Sequence, residues 1–205
     1  MRRSVAFIAF AALTACSNPA DVPAEADRQP VPRAEADDPL SRARAAGLAD
    51  DQARALLALH APVLLPRAMP GWTVTQFEAA TPFPGVKDYT VSWRRDDGAC
   101  LDLMGSNDGL GGPGYPGASV EVTLASLPGS PSARVYKADT DPLSASAESW
   151  GAGNVVSDYV EVGENADFMA VWLLSRTGEG CASLSLRDAA AILASLRPLE
   201  RQTDG

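Results

Sequence analysis

The feature that most constrains the fold is a two-residue alternation of apolar and polar side chains that recurs between residues 89 and 124. Tyr89, Val91 and Trp93 alternate with polar neighbours, and the segment 120–124 repeats the pattern. Such a period places successive side chains on opposite faces of a strand. The sequence therefore predicts a sheet with one buried face.

Turn residues separate the alternating segments at short intervals. Asp96-Asp97-Gly98 is typical of a hairpin turn, and residues 128–131 contain Pro and Gly. A second hairpin is predicted across Gly163-Glu164-Asn165. The run 168–174 is apolar on both faces, which favours a central strand covered on two sides. The predicted strands are Thr73–Ala79, Tyr89–Trp93, Ala99–Leu103, Val120–Leu124, Arg134–Lys137, Asn154–Val162, Asp167–Ser175 and Cys181–Leu186.

Two helices are predicted to flank this sheet. Leu40 to Leu59 is helical in pattern, with Asp50 or Asp51 as the cap of a helix that Pro62 ends. One of its faces would carry Ala53, Leu56, Leu57 and His60. A second helix follows the capping sequence Ser185-Leu186-Arg187-Asp188. Its apolar stripe comprises Ala189, Ile192, Leu193 and Leu196, and Pro198 is expected to stop it.

These patterns predict one α+β domain over residues 39–198. Its sheet is mostly antiparallel, with about six to eight strands and an N-terminal and a C-terminal helix packed on it. Residues 199–205 form a polar tail. His60 is the only histidine of the chain, and a lone histidine beside leucines is expected to be a half-buried packing residue.

The N-terminal residues have the form of an export signal. Arg2 and Arg3 precede an apolar run over 5–13, which is too short to span a bilayer. The next residues, Leu13-Thr14-Ala15-Cys16, resemble the bacterial lipobox. The resemblance implies a signal peptide over 1–15, palmitate and other acyl chains on Cys16, and attachment to the bilayer. An ordinary cleaved signal with an incidental cysteine is the alternative.

Residues 16–38 then form the lipidated cysteine and a tether of Pro, Ala and acidic residues. This composition cannot bury enough apolar surface to fold, so the tether is predicted to be disordered. Ser17, in place of the Asp that retains such proteins in the inner membrane, favours the outer membrane with the domain in the periplasm. In an organism with a single membrane the location would be the cell membrane.

The charge of the chain restricts its partners. Removal of Arg2 and Arg3 with the signal leaves 15 basic against 26 acidic residues, a net charge of −11. An acidic domain repels phosphate backbones and anionic lipid, so we expect no nucleic-acid partner. The acidity has two interpretations that stay open, which are solubility alone and an acidic binding surface.

Two cysteines remain after Cys16. Cys100 and Cys181 form an even pair in an oxidising compartment, and we predict a disulfide between them. A metal site is the alternative, although no nearby histidine supports it. We predict no metal site and no cofactor.

The glycine-rich stretch Gly109–Gly114 fits G-x-G-x-x-G. A dinucleotide site needs these glycines to open a helix, whereas prolines and a predicted strand follow here. The segment 106–118 is better interpreted as a loop between strands. Asn107, Asp108 and Tyr115 could serve recognition there, and a plain connection is the alternative.

No catalytic motif is present. The sequence lacks G-x-S-x-G, H-E-x-x-H and C-x-x-C. Asp139-Thr140-Asp141 with Glu148 lacks the glycine of an EF-hand loop, so we expect a solvated loop. We therefore predict a non-catalytic lipoprotein that binds or scaffolds another envelope protein or a small ligand. The alternative is an envelope hydrolase, in which two acids such as Asp102, Asp108 or Asp139 would have to converge within about 5–10 Å.

The predicted domain resembles the PsbP-like and related small lipoprotein domains. The resemblance lies in Pro70-Gly71-Trp72, in the hairpin at Asp97-Gly98, and in the segment from Trp172 through Ala194-Ser195-Leu196. It implies an antiparallel sheet with a final helix packed on it. It also implies a binding or assembly accessory and not a catalyst.

Overall fold

The computed structural model describes residues 38–108, 118–141, 143–163 and 168–200. The predicted signal peptide, Cys16, nearly all of the tether, Tyr115, the turn residues Glu164 and Asn165, and the residues after 200 lie outside this part. The strands are β1 Leu64–Pro66, β2 Trp72–Ala80, β3 Asp88–Arg95, β4 Cys100–Ser106, β5 Ser119–Thr123, β6 Ser132–Lys137, β7 Val155–Ser157, β8 Val160–Val162, β9 Met169–Ser175 and β10 Leu196–Pro198. The helices are α1 Pro39–Ala45, α2 Asp50–Leu57, α3 Ala145–Trp150 and α4 Leu186–Ala194.

Eight strands form one antiparallel sheet. Their order is β2-β3-β4-β9-β7-β6-β5, and β8 also pairs with β9. β1 and β10 form a separate two-stranded sheet. The predicted fold class, an α+β domain with a mostly antiparallel sheet and flanking helices, is confirmed. β9 is the central strand, as its apolar sequence predicted.

One face of the large sheet forms the core. Trp93, Leu101, Leu103 and Leu173 are almost fully buried in a single cluster with residues of α1, α2 and α4. Burial of each such side chain contributes roughly 1.5–3 kcal/mol. Trp93 also donates from Nε1 to the carbonyl of Ala46 at 2.8 Å, which ties the turn after α1 to β3.

The predicted N-terminal helix is in fact two helices. The chain turns at Gly47, where φ is +88° and an added Cβ would lie 3.7 Å from Trp93 Nε1. Ala49 is the N-cap of α2, and its N–H is bound by Gln52 Oε1 at 2.9 Å. The predicted cap at Asp50 or Asp51 was therefore wrong, because both residues lie inside the first turn.

His60 does not belong to the apolar face that the periodicity predicted. α2 ends at Leu57, and His60 has a φ of +49° and is exposed. The prediction of a half-buried packing histidine was wrong because the helix ends before His60. The backbone carbonyl of His60 instead accepts a hydrogen bond from Lys87 Nζ.

The C-terminal segment differs from its prediction in two places. Cys181–Leu186 is not a strand, since Cys181 and Ala182 form only isolated bridges. α4 is capped as predicted, with Ser185 Oγ accepting from the Asp188 N–H at 3.1 Å. It ends at Ala194, however, and the chain returns as β10 to pair with β1.

None of the described helices is long and apolar enough to cross a membrane.

Candidate functional site

The sheet has a second face, opposite the core, on which buried residues such as Asp102 and Val156 lie beside partly exposed ones such as Met104 and Trp172. We call it the open face. The strand register places Thr90, Met104 and Trp172 in one row across β3, β4 and β9. A neighbouring row runs through Ser92, Asp102, Leu174, Val156 and Tyr136. On this face of β9, Ala170 is buried and Trp172 and Leu174 are partly buried, so the predicted cover on both sides is present only in part.

A bulge shapes the centre of the open face. Val156 pairs with Leu174 and Val160 with Val171, so three residues on one side oppose two on β9. The Leu173 N–H donates to Ser157 Oγ at 2.9 Å. A bulge of this kind re-aims the side chains at the extra residue. In this protein the residues at the bulge include Asp158 and Tyr159.

An aromatic cluster follows from this geometry. Tyr159 packs edge-on against Trp172, with ring centroids 5.3 Å apart and an interplanar angle of 82°. Perpendicular pairs of this kind add about 0.5–1.5 kcal/mol beyond burial. Partial burial raises the pKa of the Tyr159 hydroxyl. We call Met104, Tyr136, Tyr159, Trp172 and Leu174 the aromatic patch.

Asp158, beside Tyr159, connects the bulge to β6 through two hydrogen bonds. Its Oδ2 accepts from the Arg134 N–H at 2.9 Å, and its own N–H donates to the Arg134 carbonyl at 2.8 Å. Burial, and next the charge of Asp158, raise the pKa of the Tyr136 hydroxyl. The bulge is therefore bonded on both sides: Ser157 accepts a hydrogen bond from β9, and Asp158 is hydrogen-bonded to β6.

The predicted disulfide is confirmed at one end of the open face. Cys100 and Cys181 are bonded, with 5.3 Å between their Cα atoms. The bond holds the loop 176–181 against β4, where Arg176 Nε lies 2.7 Å from Asp102 Oδ2. This loop lines a cavity of about 290 Å³ through Arg176, Thr177, Gly178, Glu179 and Cys181.

The residues predicted for recognition at 106–118 have a different environment. Asn107 Oδ1 accepts from the Lys87 N–H at 2.8 Å, and its Nδ2 donates to the Gly85 carbonyl at 2.9 Å. The Asn107 amide thus anchors the β2–β3 loop. Asp108 is exposed, and its N–H donates to Ser106 Oγ. Recognition through Tyr115 stays a prediction, since Tyr115 lies outside the described residues.

The three acids considered for hydrolysis do not meet. Asp102 lies four residues from Ser106 along β4, about 13 Å, and Asp108 lies beyond it. Asp102 is separated from Tyr136 by three strand spacings, roughly 14 Å. Asp139 follows β6 past Tyr136, at the end of the sheet opposite to Asp108. Asp102 is also ion-paired with Arg176.

The acidic loop after β6 uses its carboxylates locally. Asp139 Oδ1 accepts from the Asp141 N–H at 3.1 Å, and Asp141 Oδ1 accepts from the Leu143 N–H at 3.0 Å. Among the described residues, no group of three or more His, Cys, Asp or Glu could hold a metal ion.

The sequence predictions missed the aromatic patch. Its members come from β4, β6, β9 and the bulge, which are far apart in the chain. The available signal was the unbroken apolar run 168–174. In this run Trp172 occupies a position where the alternation of a strand with one exposed face would place a polar residue.

No protein-family model matches this chain, and no curated protein or solved structure matches it. The fold and site therefore define it only as a disulfide-bonded α+β domain with one open sheet face.

Proposed function

We propose that this protein is a lipid-anchored envelope lipoprotein whose domain is a non-catalytic binding or scaffolding module. The anchor is Cys16, acylated with palmitate among other chains, and the binding surface is the aromatic patch. The location is the outer membrane with the domain in the periplasm, or the cell membrane in an organism with one membrane.

The lipobox at Leu13–Cys16 and the basic start at Arg2 and Arg3 support the anchor. The Cys100–Cys181 disulfide supports an oxidising compartment, because such bonds persist mainly in exported proteins. Two or three acyl chains hold a protein stably where one holds it only marginally. A tether of this length would reach roughly 25 Å as a coil and about 70 Å if extended.

The observation that carries the binding role is the Tyr159–Trp172 pair on the open face. Both rings are partly exposed, and aromatic side chains are enriched where proteins bind partners. Hydrogen bonds of Ser157 and Asp158 tie the bulge that carries Tyr159 to the strands on both sides. A hydrolase would need converging acids, and Asp102, Asp108 and Asp139 lie apart, so binding is the better-supported function.

The anchor is tested by growing cells with labelled palmitate. We expect label on the wild-type protein and none on Cys16→Ala, while Cys16→Ala should still form the Cys100–Cys181 disulfide if it is exported. Absence of label from the wild type, with Ala15 still preceding Cys16 in purified protein, would contradict the anchor.

The binding role is tested by placing a photo-crosslinking amino acid at Thr90, which lies in the row of Met104 and Trp172. Irradiation of intact cells should give one reproducible adduct. The same crosslinker at Asp51, exposed on α2, is the matched control. An identical pattern from both positions would count against the open face as the binding surface.

A further inference from the structure

We propose that the aromatic patch binds a basic, extended peptide segment of another envelope protein, with lysine or arginine side chains over the Tyr159–Trp172 pair. This inference rests on the proposed binding function and adds the chemistry of the ligand. Of the two interpretations of the acidity of the chain, it favours an acidic binding surface over solubility alone.

Three carboxylates surround the Trp172 half of the open face. Glu78 lies in the row of Trp172, because it pairs with Thr90, which pairs with Met104, which pairs with Trp172. Asp88 and Glu161 both lie in the next row, which also contains Ala170. Within the described part of the chain, Glu78, Asp88 and Glu161 take part in no ion pair. Glu78 and Glu161 are exposed, so their charge is available to a partner, whereas Asp88 is partly buried and contributes its charge to this region from within the sheet.

The charges of the open face are arranged unevenly. Its arginines lie away from this half: Arg176 is paired with Asp102, Arg94 donates to the Gly180 carbonyl, and the Arg134 side chain lies beside the Tyr136 hydroxyl on β6. The face is therefore acidic beside Trp172 and neutral or basic toward the disulfide. A basic ligand is attracted to the first region and an anionic ligand is repelled by it.

The aromatic rings suit a cation directly. A guanidinium or ammonium group is attracted to an aromatic face within about 6 Å of its centroid. The Tyr159 and Trp172 rings stand at 82° to each other, and both are partly exposed. The protein already uses this chemistry once, since Arg95 lies over the Trp72 ring at 5.3 Å.

The spacing sets the length of the ligand. From Glu78 to Trp172 there are three strand spacings, roughly 14 Å, and Glu161 lies one strand beyond, beside Ala170. An extended peptide rises about 3.3 Å per residue, so four to six residues cover this distance. Basic residues at every second position would place their side chains on the side that faces the patch.

The probe is the labelled peptide acetyl-(Arg-Ser)₃-amide, and its controls are the same peptide with Gln or Glu in place of Arg. Binding to the intact lipidated protein in a non-ionic detergent is followed by fluorescence anisotropy. We expect the arginine peptide to bind, the glutamine peptide to bind at least about fivefold more weakly, and the glutamate peptide not to bind. Raising the salt from 20 to 200 mM should weaken binding of the arginine peptide.

Variants assign the binding to the patch. Trp172→Leu removes the ring but keeps an apolar side chain, and Glu161→Gln removes one carboxylate from an exposed position. Each substitution should lower the affinity for the arginine peptide by about fivefold, which is the effect of one cation–π or ionic contact. Phe83→Leu and Glu200→Gln are the matched controls, because both residues are exposed outside the patch. They should leave the affinity within about twofold.

Three outcomes overturn the inference: equal binding of the arginine and glutamine peptides, no binding at millimolar concentration, or equal loss in the Trp172 and Phe83 variants. If Thr90 still crosslinks one partner while the peptides show these results, the proposed binding function stands and the basic ligand is wrong. A partner crosslinked at Thr90 that contacts the patch through an uncharged glycan or an aliphatic segment would likewise leave the binding function standing and show that the basic ligand is wrong. Failure of both experiments removes the binding function itself.

Discussion

A substitution at Gly105 tests how the core face of the sheet is packed. Gly105 lies in β4 beside Tyr89, which is 1% exposed. A Cβ added at Gly105 would lie 2.2 Å from Tyr89 Cε1, 2.7 Å from Cζ and 2.9 Å from Cδ1. Carbon atoms in contact lie about 3.5–4.0 Å apart. The Tyr89 ring would therefore have to move by more than about 1 Å.

The Tyr89 ring cannot move by that amount at low cost. Its hydroxyl donates to the Leu64 carbonyl at 3.2 Å and accepts from the Leu64 N–H at 3.3 Å. Overpacking costs about 1–3 kcal/mol, and each buried polar group that loses its partner costs about 1–3 kcal/mol. We therefore expect Gly105→Ala to lose about 3–5 kcal/mol. Backbone entropy acts in the opposite direction by only about 0.4–1 kcal/mol, so the clash decides the sign.

Urea and thermal unfolding followed by tryptophan fluorescence measure this effect. For a chain of 150–250 residues, a loss of this size corresponds to a fall in Tm of about 10 °C. Tyr89→Phe removes only the hydroxyl and should lose about 1–3 kcal/mol. In a Tyr89→Leu background, Gly105→Ala should cost less than about 1 kcal/mol because the ring is gone. A Gly105→Ala variant as stable as wild type, or an equal loss in both backgrounds, would refute the argument.

Further predictions concern the disulfide end and one exposed turn. Cys181→Ser, compared with wild type in urea, should lose about 4 kcal/mol, because the bond closes a loop with a sequence separation of 81; alkylation should label Cys100 and Cys181 of the wild type only after reduction. Arg176→Gln should lose more stability at pH 7 than Asp102→Asn, by chemical denaturation, because it leaves the nearly buried carboxylate charged and without its ion-pair partner; the reverse order would contradict this. A neighbouring guanidinium and a backbone N–H lower the pKa of Asp97 to about 2. Because this lies below the unfolded value of about 3.9, its contribution is present above pH 4 and is lost as the pH falls toward 2. Asp97→Asn should therefore have a lower Tm than wild type at pH 6, and most of this difference should be gone at pH 2.

The large sheet was predictable because its strands are long enough to show a period of two. β3 and β5 follow the alternation of Tyr89–Trp93 and Val120–Leu124, and the turn at Asp96–Gly98 joins β3 to β4. The disulfide was predictable for another reason, which is that two cysteines remained in a chain whose sequence predicts export. Neither prediction needed tertiary information.

The short elements were not predictable from the same patterns. β1 and β10 have three residues each, too few for a period, and each depends on a partner 130 or more residues away. The break between α1 and α2 depends on Trp93, which binds the Ala46 carbonyl. Periodicity reports which residues face a core, but it does not report where a distant side chain ends a helix.

The candidate site was hidden for a related reason. Asn154–Val162 was predicted as one strand, and it is divided by the bulge at Asp158 and Tyr159 into β7 and β8. An extra residue in a strand changes the phase of the alternation, and it becomes visible only when the partner strand is known. The pairing of Tyr159 with Trp172 is a consequence of the register with β9, which the sequence does not contain.

The central strand is the structural basis of the proposed binding role. The core face of β9 is fully buried at Met169, Val171 and Leu173. Its other face carries Trp172 and Leu174, which are only half-buried, although a strand that is apolar on both faces is most stable when both are covered. Tyr159 packs edge-on against Trp172, and both rings stay partly exposed. Polar side chains at positions 172 and 174 would avoid the cost of partly exposed apolar surface without disturbing the core face, so the apolar residues there support the proposed binding role.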